Sequence, residues 1–170
     1  MEISEDVFRV YTNARIFYEI ATEAYNQSFR IMEQNRTPRG DGGFVISHDS
    51  EKLSFKNGLI AISFYSSYID VHIRLLYIAL NGNNPPRDWD RNKTYKTKLE
   101  SFGVQDEWLL EAIEEFRKAR NDIAHEKPMV IGEQVKNQPI RTAQGDAKLG
   151  MQVTERLREL LPLRKDSRKV

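Results

Sequence analysis

The stretch "LIAISFYSSYIDVHIRLLYIAL", Leu59 to Leu80, constrains the fold more than any other part of the chain. Read at helical spacing it is apolar on two sides. Leu59, Ile62, Ile69, Ile73, Leu76 and Leu80 make one face, and Ile60, Phe64, Tyr68, Val71, Leu75 and Ile78 make the other. Such a helix needs neighbours on both sides, from its own chain or from a partner. It is long enough to span a bilayer, but Asp70, His72 and Arg74 fall near its middle, where lipid tolerates charge poorly. The expectation is a buried bundle helix, running from about Ser54 to Asn81, and no membrane association. "NGNNPPRDWD" stops it.

The remaining segments also read as helices. No Pro or Gly interrupts the chain from Ser4 to about Asn35, and two adjoining apolar stripes run along it, with Ser4 as the expected N-cap. "NRTPRGDGG" breaks that pattern, and "FVISHDS" after it reads as a short strand or an anchored loop. "KTYKTKLESFG" predicts a short helix with Gly103 just past its end. The next helix begins near Asp106 and ends near Glu126, since Pro128 disfavours helix at Lys127. "MVIGEQVKNQPIRT" has strand-like alternation and suggests a short hairpin after residue 128. A last helix runs from Ala143 or Asp146 to Leu161. The expected fold class is therefore all-α, an antiparallel bundle of four to five helices. It forms a single domain over 1–170, with a charged tail at 162–170.

Composition removes several function classes. The chain has no cysteine, so a disulfide framework and a thiolate metal site are both ruled out. The acidic start "MEISEDVFRV" lacks the order of a signal peptide, and the expected location is cytoplasmic. The formal net charge is +1, so any nucleic-acid surface has to be local; the basic tail "RKDSRKV" is the visible patch. No phosphate loop, H-E-x-x-H motif, calcium loop or nucleophile elbow is present, and no cofactor is implied. Glu111, Glu114 and Glu115 fall on a solvated helix face. His72 reads as a histidine hydrogen-bonded within the bundle, and His48 lies in a glycine-rich loop.

"RKARNDIAHE", residues 117–126, is the exception. Arg120 follows Phe116 by four residues and precedes Ile123 by three, so it is expected to point along the core stripe. A guanidinium there must find a partner or open onto a cleft. His125 lies one turn beyond Asn121 on the same face. A loosened last turn would let Arg120, Asn121 and His125 border one pocket.

"R-N-D-I-A-H", Arg120 to His125, resembles the R-x4-6-H motif of the HEPN superfamily, with the polar residue that the family favours after the arginine. The resemblance covers this motif and the general bundle layout of residues 4–126. It implies a helical bundle and a metal-independent endoribonuclease, in the family's usual setting a toxin or antiviral-defence protein. It also implies a homodimer, an RNA substrate and a nucleotidyltransferase-type antitoxin partner. Arg120, Asn121 and His125 are the catalytic residues carried over.

The residue types suit that chemistry. RNA supplies its own nucleophile, the 2′-OH, and cleavage needs proton transfer and positive charge on the phosphorane. An imidazole titrates near neutrality, and a guanidinium grips phosphate oxygens bidentately. A two-fold dimer would place two such pairs in one cleft; His72 is the first same-chain candidate for a further acid. Two other readings stay open. One is a non-catalytic helical interaction module, with Arg120 paired to a carboxylate such as Asp70 and His125 capping its helix. The other is a bundle that holds a phosphate or nucleotide without chemistry.

Overall fold

A computed structural model describes residues 5–47, 49–89, 93–124 and 142–163. Within them lie five helices: α1 (Glu5–Gln34), α2 (Leu53–Asn81), α3 (Tyr95–Ser101), α4 (Glu107–Ala124) and α5 (Ala143–Leu160). The chain is an all-α helical bundle, and among the described residues a single two-stranded sheet lies between α1 and α2. The hairpin expected after residue 128 and the Ser4 cap lie outside the described residues.

The caps explain the boundaries. Asp106 starts α4 by accepting the Leu109 amide through Oδ1 at 2.7 Å. Its other oxygen takes the Arg156 guanidinium at 2.6 and 2.9 Å, tying the start of α4 to the end of α5. Thr142 caps α5 by accepting the Gly145 amide at 3.0 Å. Gly103 leaves α3 at φ +84°, a left-handed turn that suits a residue without Cβ.

α1 and α2 pack antiparallel, with Phe17 against Phe64 and Tyr18 against Tyr68, their ring centroids 5.8 and 5.6 Å apart. At the far end, the Ser28 hydroxyl donates to the Ser54 carbonyl at 2.7 Å and the Ser54 hydroxyl donates to the Ser28 carbonyl at 3.0 Å. α5 lies along α2 in the same sense: Gly58 sits against Ala143, and His72 reaches Leu161. Ala61, Ile62, Tyr65, Ile69, Ile73, Leu109, Ile113, Phe116, Val153 and Leu157 make the shared core. α2 is long and apolar enough to cross a membrane by length and composition, but 56% of its most apolar window is buried inside the bundle. Ile60 and Leu80, from its two apolar faces, stay exposed.

Of the two readings of "FVISHDS" the strand holds: "FVI" (Phe44–Ile46) pairs antiparallel with "RTP" (Arg36–Pro38), a strand not expected from the sequence, and the glycine-rich stretch is the hairpin turn between them. Pro38 hid the first strand, since proline weakens a strand pattern except at an edge. At the other end, Leu161 and Leu163 still pack on the core, so packed chain continues past Pro162 into the first residues of the expected tail.

Candidate functional site

Where α2, α3 and α4 meet, a cleft of about 580 Å³ opens to solvent. α2 contributes Asp70, Val71 and Arg74; the approach to α3 contributes Lys93 and Thr94; α3 itself gives Tyr95 and Lys98; α4 gives Arg117, Arg120 and Asn121. Five cations thus face one carboxylate, in a chain whose formal net charge is only +1. Among the described residues this lining is richer in cations than the chain as a whole.

Arg120 does not lie in the core. The buried stripe of α4 is Leu109, Ala112, Ile113, Phe116 and Ala119, and Arg120 is exposed. One residue is a 100° step on a helix, and the small Ala119 takes the place facing the core. The guanidinium therefore turns onto the cleft rim. There its Nη1 donates weakly to Asn121 Oδ1 at 3.4 Å. Arg120 and Asn121 are brought together as expected. His125 follows Ala124, where the described part of α4 ends, and lies outside the described residues, as does His48.

Buried side chains make the cleft floor. The Tyr95 hydroxyl donates to Asp70 Oδ1 at 2.6 Å. Burial, together with the Asp70 charge and hydrogen bond, pushes the phenol well above its ordinary pKa, while the Arg120 charge pulls the other way. Tyr95 is thus a neutral donor that fixes Asp70. Lys98 is only 4% exposed, its ammonium 4.4 Å from the Trp89 ring centroid and 5.9 Å from that of Tyr95.

Glu114 braces the wall. It accepts the Lys96 amide at 3.0 Å and the Arg117 Nε at 2.7 Å, joining α3 to α4 beside the cleft. Partial burial pushes its carboxyl up, but these two donors outweigh that and hold it below the ordinary glutamate value. Of the three glutamates expected on the solvated face, Glu111 and Glu115 are exposed and Glu114 is half-buried. The reach of Lys96 across from α3 accounts for the difference.

His72 is excluded from this site. It is buried, with Nδ1 3.0 Å from the Tyr68 hydroxyl and Nε2 2.9 Å from the Leu161 carbonyl. The carbonyl can only accept, so Nε2 carries the proton and Nδ1 accepts from Tyr68. Burial drives its pKa down to about 4, against the smaller upward effect of the Leu161 bond. The expected bundle histidine is what the fold contains. Its alternative use as a same-chain acid fails, because both ring nitrogens are spent between α2 and the end of α5.

Arg74, Lys93, Lys98 and Arg117 were not singled out by sequence. The available signals were weak: Asp70 and Arg74 are one turn apart on α2, and Arg117 and Arg120 are three apart on α4. Neither spacing reveals that the two helices converge. The fold and cleft define a helical bundle with a cationic surface cleft at the meeting of three helices. Compared with protein-family models, curated proteins and solved structures, the chain has no match.

Proposed function

We propose that the protein is a HEPN-like, metal-independent endoribonuclease whose site is built on Arg120, Asn121 and His125. The observation that carries this reading is the cleft, where Arg120 and Asn121 join four further cations around a single, already bonded carboxylate. Such a lining binds a polyanion, and its arginines match phosphate geometry. His125, the residue after α4, supplies the imidazole. In this reading it takes the proton from the ribose 2′-OH, which attacks the adjacent phosphorus. Arg120 neutralises the charge that gathers on the phosphorane oxygens, and the 5′-oxygen leaves with a proton. Two protons move while each chain offers one such histidine, so a homodimer with two motifs in one cleft completes the site. The role of toxin or defence protein, held by a nucleotidyltransferase-type antitoxin, belongs to the same reading.

Purified protein incubated with mixed RNA tests this. Cleavage should persist in EDTA and leave 2′,3′-cyclic phosphate ends. His125→Ala and Arg120→Ala should each lose at least about a hundredfold in rate, within the range typical of acid–base and charge-stabilising groups. Arg120→Lys should not rescue, because an ammonium lacks the planar fork. A His125→Ala protein as active as the parent ends the catalytic reading. One feature favours a second reading, a bundle that holds RNA or a nucleotide without cutting it: the described lining is rich in phosphate-binding groups, and the proton transfers rest on His125.

A further inference from the structure

Most arginines of the described bundle are neutralised locally: Arg15 by Glu19, Arg36 by Glu33, Arg39 by Asp41, Arg117 by Glu114, Arg156 by Asp106, Arg158 by Glu155. The cleft departs from this habit. Arg120 has no carboxylate partner among the described residues, and neither do Arg74 and Lys93, which reach the same cleft from α2 and from the approach to α3. Three cations with no carboxylate partner among the described residues share one concavity and repel each other, a cost that an anion spread along the cleft would relieve. They also come from separate elements: Arg120 and Asn121 stand on the α4 wall, Arg74 and Lys93 on the walls formed by α2 and the α3 approach. A volume of about 580 Å³ is larger than one phosphate needs and falls in the range of sites for small ligands.

The groups able to read a base are few. Trp89 and Tyr95 are buried, with Lys98 against both rings, so neither presents an open face for stacking. Asp70 is engaged by Tyr95. What remains at the surface is mainly phosphate-directed, and phosphate contacts set register without conveying sequence.

Building on the proposed RNA-cutting site, we infer that the cleft holds single-stranded RNA at two phosphates: Arg120 with Asn121 takes one, and Arg74 with Lys93 takes a flanking one. The register comes from the backbone, so the protein is a length-dependent and largely sequence-indifferent reader of RNA. A dinucleotide, with a single internal phosphate, fills one subsite only. A short oligoribonucleotide fills both.

The test measures binding apart from cleavage, using a fluorescent 2′-O-methyl hexaribonucleotide, which lacks the attacking hydroxyl. Arg74→Gln/Lys93→Gln should raise its Kd about tenfold or more. The slope of log Kd against log salt should drop by roughly 0.7, since the variant loses one of the two single-strand phosphate contacts and each contributes about 0.7. Hexamers of different sequence should bind within a few-fold of each other, and a 2′-O-methyl dinucleotide should bind the parent and the double variant alike. Arg30→Gln, an exposed arginine on α1, should change nothing. Circular dichroism confirms that the variants are folded. An unchanged Kd and slope in the double variant, with RNA still cut in an Arg120-dependent way, would overturn the flanking subsite and leave the nuclease reading standing. The expected loss of slope in a protein that cuts no RNA would uphold the two-phosphate cleft and sink the nuclease reading. A parent protein that binds no hexamer overturns both.

Discussion

His72 shows how far a single residue can be read from sequence. Its place among Asp70 and Arg74 suggested a hydrogen-bonded bundle histidine, and that is what it is. Periodicity could not show that its second partner is a carbonyl 89 residues further along. The pairing has a pH signature. Folded, the imidazole is held neutral with its pKa lowered from 6.5 to about 4; unfolded, it titrates at the ordinary value. The unfolded chain therefore binds more protons between those two values. The stabilisation is complete above about pH 6.5 and is lost as pH falls towards 4. Unfolding free energy by urea titration should drop by about 2 kcal/mol from pH 7.5 to 5 on this account, most of it before carboxylates titrate. His72→Gln, which does not titrate, should flatten that slope; an equal slope in the variant would assign the dependence to other groups. Arg120 teaches the opposite lesson. It was expected to point along the core stripe, but a 100° step decides between core and rim, and the small neighbour Ala119 took the core-facing place.

At the scale of elements, the five helices were legible because each carries its own period and its own stop. The "RTP" strand was not, because three residues ending in proline have no period to show. The contacts between helices were also invisible, and Gly150 is the clearest case. A Cβ added there would stand 2.5 Å from Phe116 Cε2 and 2.7 Å from Cζ, on a ring that is fully buried. Glycine lets α5 approach α4 one turn before Arg120. In an open helix Gly→Ala stabilises by about 1 kcal/mol. Here the overlap should reverse the sign, so Gly150→Ala should destabilise by about 1–3 kcal/mol in chemical denaturation. A stabilised variant would mean that α4 and α5 slide apart at no cost, and that the Arg120 wall is not held by this contact.

For the whole molecule, the cleft was the least legible feature, because its lining comes from residues 70 to 121 on three helices and no local pattern records their meeting. The proposed dimer belongs at this scale too. In the proposed reaction two histidines share the two proton transfers, so specific activity per chain should fall on dilution through the dimer dissociation constant and recover on concentration. Undiminished cleavage by a species that sediments as a monomer would rule out a composite site. Asp70, already in the cleft, would then be the same-chain group to test in place of His72. The side-by-side run of α2 and α5 in one direction has a consequence for how the chain is made. Gly58 meets Ala143, and His72 meets Leu161, so each half of that seam joins segments separated by more than eighty residues. During synthesis α1 and α2 can zip together as a local hairpin, whereas the groove for α5 must wait until residues 143–160 have left the ribosome. Every residue lining the cationic cleft is translated before the helix that closes the core beneath it. A nascent chain therefore carries its charged surface ahead of its finished interior, with Phe116 and Tyr65 still lacking the cover that the last helix brings.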